Sequence, residues 1–378
     1  MAQRKILFVF GTRPEAIKLC PLILHSRRIR ESYDVRVCVT AQHRTLLDQV
    51  LDVFGVAPDY DLDLMVPGQT LSQSTSRIVA GLEPVFERER PDLALVQGDT
   101  TTTLCGALAA FYAGVPVGHV EAGLRTWDLQ HPFPEEMNRL LTSRLAALHF
   151  APTQWAADNL LREGVDPLRV TVTGNPGIDA VFIVKRRLEQ AEIPGCHLPG
   201  LDPQKKLIVV TAHRRESFGE GFERICRALA TLAGRSDVQL VYPVHPNPNV
   251  REPVARLLAG RPNVLLIEPL SYVAFVDLMR RSYMLITDSG GVQEEGPSLG
   301  KPILVMRDTT ERPEAVEAGT VRLVGADPKR IVEEATRLLD DPSAYAAMTR
   351  VHNPYGDGRA SERIFAAIDS FYAKNSPA

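Results

Sequence analysis

Several things are scarce in this sequence, and each scarcity closes off a class of protein. No apolar run reaches the ~20 residues that span a bilayer, so no transmembrane helix is expected. Basic charge is not in surplus: 43 Lys and Arg stand against 46 Asp and Glu, a net of -3, which argues against a nucleic-acid binder. Cysteine occurs five times, an odd count with no C-x-x-C pair. Four of the five sit in apolar contexts, which reads as reduced core thiols of a cytoplasmic protein, with neither a disulfide frame nor a zinc knuckle. The metal spacings H-x-x-H and H-E-x-x-H are missing, as is the P-loop. Gly219-Glu220-Gly221 runs on to Arg224 where a dinucleotide fingerprint needs glycine. The expectation is therefore no metal and no cofactor.

What is present is ordinary globular composition. The chain has 378 residues, 44% hydrophobic and 24% charged. That is too apolar for a disordered protein, and at roughly 150 residues per domain it suggests two to three domains. The opening MAQRKILFVFGTRPEA reads as a first strand and not as a signal peptide, because its apolar run leads straight into Gly, Arg, Pro and Glu.

Short apolar runs recur at Lys5–Phe10, Val35–Thr40, Leu93–Gln97, Val115–Val120, Leu207–Thr211, Gln239–Val244, Val264–Ile267, Tyr283–Thr287 and Pro302–Met306. Most are rich in Val, Ile and Leu without polar alternation, as in strands covered on both faces. Helical periodicity fills Ala16–Ile29, Ser72–Arg88, Thr101–Tyr112, Phe222–Leu232 and Arg330–Leu339. Strand–helix alternation throughout predicts an α/β fold of parallel sheets with right-handed crossovers. The run KKLIVVTAHRRES repeats the logic of RKILFVFGTRPEA: basic residues, a buried strand, then a polar loop opening a helix. We expect two Rossmann-like parallel-sheet domains facing a cleft, 1–175 and 176–360. A hinge near Thr173–Pro176 or within 189–205 separates them. The C-terminal helix, 361–374, is free to pack on either domain and is grouped with the first.

Six strand ends carry polar groups. These are Gly11-Thr12-Arg13-Pro14-Glu15, Gln97-Gly98-Asp99, Glu121-Ala122-Gly123-Leu124-Arg125, Thr211-Ala212-His213-Arg214, His245-Pro246-Asn247 and Asp288-Ser289-Gly290-Gly291. In open parallel sheets, ligands bind outside the carboxyl ends of the strands. The last segment suits an anion, since two glycines bring backbone N–H groups close at a helix start; a plain turn capped by Ser289 is the alternative. Arg13 and Lys18 make a second anion-friendly loop, or a solvated helix start. Asp99, Glu121, Glu135 and Glu136 supply carboxylates for acid–base work, against the alternatives of a helix cap for Asp99 and a surface pair for Glu135 and Glu136. His213 serves as phosphate contact or proton carrier, or simply as a satisfied polar residue.

Ten runs together carry a family resemblance: FGTRPEAIK (10–18), TAQHR (40–44), GDTTTT (98–103), GHVEAGLRT (118–126), FPEEMNR (133–139), TAHRRESFG (211–219), YPVHPNPNVRE (242–252), TDSGGVQEE (287–295), RDTTERPEAVEAGT (307–320) and NPYGDGRASERI (353–364). The chain resembles the non-hydrolysing UDP-N-acetylglucosamine 2-epimerases. The resemblance implies a GT-B glycosyltransferase-like fold and interconversion of UDP-N-acetylglucosamine and UDP-N-acetylmannosamine by elimination and re-addition of UDP. It also implies a homodimer that serves bacterial surface polysaccharide precursors. A hydrolysing 2-epimerase, a UDP-sugar glycosyltransferase and a UDP-sugar sensor are the alternatives.

The same resemblance distributes the roles. Asp99, Glu121, Glu135, Arg139 and His213 match catalytic positions. Arg13, Lys18, Asp99, Glu121, His213, Ser289, Gly290, Gly291, Glu295 and Arg312 match substrate contacts, with Glu295 on the ribose. Leu270 stands where relatives can carry a polar residue, so main chain is expected to read the uracil there, while Phe275 packs on the base or is a helix core residue. Gln42, Glu136, Arg214 and His245 match a second, activating substrate site, from which Thr45 and Gly68 depart. Gly296 and Pro176-Gly177 are further departures.

Overall fold

The structure, a computed structural model, describes residues 3–41, 44–350 and 352–375. It divides into two compact units, Met1–Ala180 with Tyr355–Ala378, and Val181–Pro354.

Among the described residues the first unit holds seven parallel strands: β1 (Arg4–Phe10), β2 (Tyr33–Val39), β3 (Tyr60–Asp61), β4 (Leu93–Gln97), β5 (Val117–Val120), β6 (Leu148–Ala151) and β7 (Val170–Val172). Their order is β3-β2-β1-β4-β5-β6-β7. The second unit holds β8 (Lys206–Thr211), β9 (Val238–Pro243), β10 (Val264–Ile267), β11 (Met284–Thr287), β12 (Ile303–Val305) and β13 (Val321–Leu323), in the order β10-β9-β8-β11-β12-β13. Each chain segment winds outward from its first strand, returns, and winds the other way. That reversal opens a crevice at the carboxyl ends of β1 and β4, and of β8 and β11.

The apolar runs explain this parallel pairing. Ile6 through Phe10 are fully buried, flanked by β2 on one side and β4 on the other. Helices cover both faces, so no polar alternation survives in the strand. In the second unit Ile208, Val210, Met284 and Ile286 share one core with Phe222, Ile225 and Leu229 of the helix Glu220–Leu232. Helix starts are set locally. Thr70 accepts from Gln73 and Thr100 from Thr103, which satisfies amide groups that the first turn leaves unpaired.

Four strands lay outside the apolar runs read from sequence: β3, β6, β7 and β13. Each is two to four residues long. β3, β7 and β13 are sheet edges. β6 carries His149 in its middle and β13 carries Arg322. Short edges need little apolar surface and leave a weak pattern.

The helix Pro176–Glu189 runs through the division between the units. Asp179 on it accepts hydrogen bonds from Ala360 N (3.0 Å) and Ser361 N (2.8 Å). This caps the last helix, Ala360–Asn375, from outside its own sequence. Phe365 of that helix packs edge-on against Tyr33, and the helix lies against Arg13–Arg28. The chain's end thus belongs to the first unit.

Candidate active site

In the first unit the loop after β1 turns into a helix at Arg13, and Glu15 in its first turn is fully buried. Its carboxylate accepts from Gly11 N (3.1 Å), Thr12 N (2.8 Å), Thr100 Oγ1 (2.8 Å) and Thr103 Oγ1 (3.3 Å). Burial pushes its pKa up, against these donors. Glu15 thereby ties the loop after β1 to the loop after β4. In the sequence Glu15 is only one letter of the strand-end motif Gly11-Thr12-Arg13-Pro14-Glu15, and nothing local marks it as the tie between two loops.

Glu121 follows β5 in a left-handed conformation, φ +61°, which costs a non-glycine residue on the order of 1–2 kcal/mol. Four donor contacts hold it there. Lys18 Nζ reaches both oxygens at 2.5 and 2.6 Å, Gln97 donates to Oε2, and Asn175 Nδ2 donates to Oε1 at 2.9 Å. Neither Gln97 nor Asn175 was singled out from sequence, since a neutral amide in an apolar run or turn carries no motif of its own.

Asp99 is arranged differently. It follows Gly98, whose φ of +74° turns the chain away from β4. Arg139 donates to its Oδ2 at 2.6 Å, and Asn138 Nδ2 donates to its carbonyl at 2.9 Å. Oδ1 takes no part in that ion pair, and the side chain is 29% exposed. The cap of the following helix is Thr100, so the cap alternative for Asp99 does not hold. Arg139 also lies 3.2 Å from Glu136. Glu136 is fully enclosed and accepts from Thr126 N and Trp127 N, so it is not half of a surface pair. Glu135 opens the same helix, half-buried, outside this network.

Under the Asp99 loop, His119 Nε2 donates to Gly98 O over 2.7 Å. Its register partner across the sheet is His149. Burial, aided by the charge of Arg125, lowers His119 to about 4 and His149 to about 3, so both are neutral at pH 7.

In the second unit, Asp288 immediately follows β11 and is 1% exposed. Its Oδ2 accepts from His213 N (2.6 Å) and Arg214 N (2.7 Å) in the loop after β8. Oδ1 lies 3.3 Å from His213 Nδ1. The His213 ring stacks on His245 at 5.6 Å. His213 is shifted down by burial and by Arg214 and His245, with Asp288 opposing.

Ser289 precedes the helix Gly290–Ser298 without a side-chain cap bond, so the Ser-cap alternative is not what the structure contains. The first N–H groups of that helix face outward from its start. A Cβ on Gly290 would lie 2.5 Å from Arg312 Nη1, so the guanidinium rests against bare backbone. Glu294 holds Arg312 Nε at 2.5 Å. An N-terminal helix dipole and a guanidinium converge here, a combination suited to a diphosphate. Glu295 lies close enough to Tyr272 for its charge to add to the burial that raises that phenol. Tyr272 opens the helix that carries the half-buried Phe275, and it follows the half-buried Leu270 and the cap Ser271.

The first unit thus gathers Lys18, Asp99, Glu121, Glu136 and Arg139; Arg13 is half-buried at the same helix start. The second gathers His213, Arg214 and His245 at one place, and Gly290 with Arg312 at another. Gln42 lies outside the described residues. Among the described residues no group of three or more His, Cys, Asp or Glu is placed to hold a metal ion, and no helix is long and apolar enough to cross a membrane.

The profile of the UDP-N-acetylglucosamine 2-epimerase family matches residues 27–369. A UDP-N-acetylglucosamine 2-epimerase of Escherichia coli K12 is 58% identical over 369 residues, covering 96% of this chain and 98% of that one. The solved UDP-GlcNAc 2-epimerase of Neisseria meningitidis, bound to UDP-GlcNAc, is 49% identical with a TM-score of 0.87, covering 97% and 100%. The calicheamicin glycosyltransferase CalG4, at 16% identity and a TM-score of 0.61 over the full length of both chains, shares the GT-B-like fold alone.

Proposed function

The chain belongs to the UDP-N-acetylglucosamine 2-epimerase family, and from that premise we propose that it interconverts UDP-N-acetylglucosamine and UDP-N-acetylmannosamine without net hydrolysis. A base takes the carbon-2 proton while the carbon-1–oxygen bond breaks and UDP leaves with the bonding pair. The resulting glycal-like intermediate is protonated at carbon 2 from the opposite face, and UDP adds back at carbon 1.

The observation that carries this reading is the contrast among carboxylates. Glu121 has donors on both oxygens and is held in one position, where it orients Lys18. Asp99 keeps one oxygen outside its Arg139 ion pair and is partly exposed. Asp99 and Glu135 are the proton carriers, and Arg139 holds Asp99 in place through its ion pair. Departure of UDP is eased by groups of the second unit suited to its diphosphate, the helix start at Ser289, Gly290 and Gly291 with Arg312 and His213, and Arg13 of the first unit is a further substrate contact by resemblance. Glu295 takes the ribose hydroxyls, Leu270 and Phe275 hold the uracil, and no cofactor takes part. By resemblance Gln42, Glu136, Arg214 and His245 correspond to positions of an activating site in relatives, and Glu136 is already committed to the 126–127 backbone.

The enzyme works in the cytoplasm, a compartment that suits five free, buried cysteines. It pairs with a second copy of itself and feeds surface polysaccharide synthesis. Incubation with UDP-N-acetylglucosamine in heavy water tests the reading. Deuterium at carbon 2 of a nucleotide-sugar product is expected. Free N-acetylmannosamine with UDP would replace it by a hydrolysing epimerase, and full retention of the original hydrogen would overturn the elimination route.

A further inference from the structure

We propose that Asp288 is a positioning residue that holds His213 with its Nδ1 proton inward, so that a nucleoside diphosphate binds together with one proton taken up at Nε2. The inference rests on the reading of the second unit as the nucleotide-binding half.

Asp288 is 1% exposed, and its Oδ2 is anchored by two consecutive backbone N–H groups. Its Oδ1 has no hydrogen-bond partner and faces His213 Nδ1 at 3.3 Å, a charge contact short of a formed hydrogen bond. A lone pair on Nδ1 would face a buried carboxylate oxygen and be repelled. The proton therefore sits on Nδ1, as a carboxylate fixes the tautomer of a neighbouring imidazole.

That choice has a consequence on the other side of the ring. In the neutral, Nδ1-protonated imidazole, Nε2 offers a lone pair. A phosphate oxygen also offers only lone pairs, so the two repel. Protonation at Nε2 turns the repulsion into a charge-assisted bond and gives Oδ1 the full imidazolium it lacks. The charged and titratable groups facing the ring are Asp288 just after β11, Arg214 from its own loop and His245 from the loop after β9. In the free protein the two basic neighbours and burial outweigh Asp288 and favour the neutral ring. A bound diphosphate reverses that balance.

Calorimetric titration with UDP at about pH 7.5, in buffers of different ionisation enthalpy, reads the proton count directly. The parent is expected to take up close to one proton. Asp288→Asn keeps an acceptor for the two backbone groups but presents an amide donor to Nδ1, which forces the proton onto Nε2. It is expected to bind UDP about tenfold more weakly and without proton uptake. His213→Gln, which alters a partly exposed side chain and leaves Asp288 in place, is expected to abolish uptake as well. A parent that binds UDP without taking up protons overturns the inference alone, as does uptake that persists in either variant. A parent that fails to bind UDP overturns the nucleotide reading and the inference with it.

Discussion

Acidification should weaken the first unit through two histidines in its sheet. His119 and His149 are 0% and 1% exposed and stand side by side on β5 and β6. Both have an Nδ1 without a hydrogen-bond partner. Folding depresses their pKa to about 4 and about 3, chiefly through burial, while an unfolded histidine titrates near 6.5. The sign follows from proton binding. Below about pH 6.5 the unfolded chain gains protons that the folded chain refuses, so stability is full above that pH and falls as the pH drops toward the folded values. Between pH 7 and pH 5 each histidine costs ~2 kcal/mol by this linkage, roughly 4 kcal/mol for the pair. That is a large part of the 5–15 kcal/mol typical of a folded domain. Urea unfolding followed by far-UV dichroism at the two pH values measures the loss. His119→Gln can keep the bond to Gly98 O while removing the titration, and His149→Gln removes the second site. Each variant should recover about half of the acid loss, whatever its stability at pH 7. If both variants show the parent's loss between pH 7 and pH 5, the burial argument is wrong.

Asp99→Asn should lower turnover by ~10²–10⁴, the usual range for a lost acid–base group, while the Kd for UDP-sugar changes less than about threefold; normal turnover would remove Asp99 from the proton path. Lys18→Met should destabilise the first unit by about 3 kcal/mol in urea unfolding, because Glu121 is left buried in a left-handed conformation with its cation gone. An unchanged midpoint would mean that Gln97 and Asn175 suffice. Gly290→Ala places a methyl 2.5 Å from the Arg312 guanidinium. Since a flexible side chain can step aside, stability should change by less than about 1 kcal/mol, but UDP binding should weaken about tenfold as Arg312 leaves its place. Unaltered UDP affinity by calorimetry would count against that role for Arg312.

The α/β class, the parallel sheets and the long buried strands were legible because uninterrupted Val, Ile and Leu runs can be satisfied only by a strand covered on both faces. β1, β4 and the helix Thr101–Tyr112 coincide with their sequence patterns to within a residue. β6 escaped because His149 interrupts four residues whose burial is supplied by neighbours and not by their own composition. Candidate residues with a charge at a strand end were equally readable. Their supports were not. Gln97 lies within a strand run and Asn175 within a turn, and nothing local marks either as a donor to Glu121. Asp288 was quoted as part of a strand-to-helix turn, yet its partners, the amides of residues 213 and 214, are 75 and 74 positions away. Hydrogen bonds across that separation leave no periodicity to read.

Glu15 and Asp288 solve one problem in two ways. In each unit the first strand ends in a loop whose consecutive N–H groups point into the crevice where the strand order reverses, and a buried carboxylate takes both: Gly11 and Thr12 by Glu15, His213 and Arg214 by Asp288. In the first unit the carboxylate comes from the following helix and also binds threonines after β4. In the second it comes from the residue immediately after β11. With the loop amides spent on an internal anion, the first crevice is left lined by two carboxylates, Asp99 with one oxygen outside its ion pair and Glu121 held by donors on both oxygens. The second spends its amides likewise, but has a fresh helix start at Gly290 with the Arg312 guanidinium resting against it. The first six strands of each sheet share one order, and the placement of charge at the reversal point is what distinguishes them: paired carboxylates in the first unit, a helix start beside a guanidinium in the second.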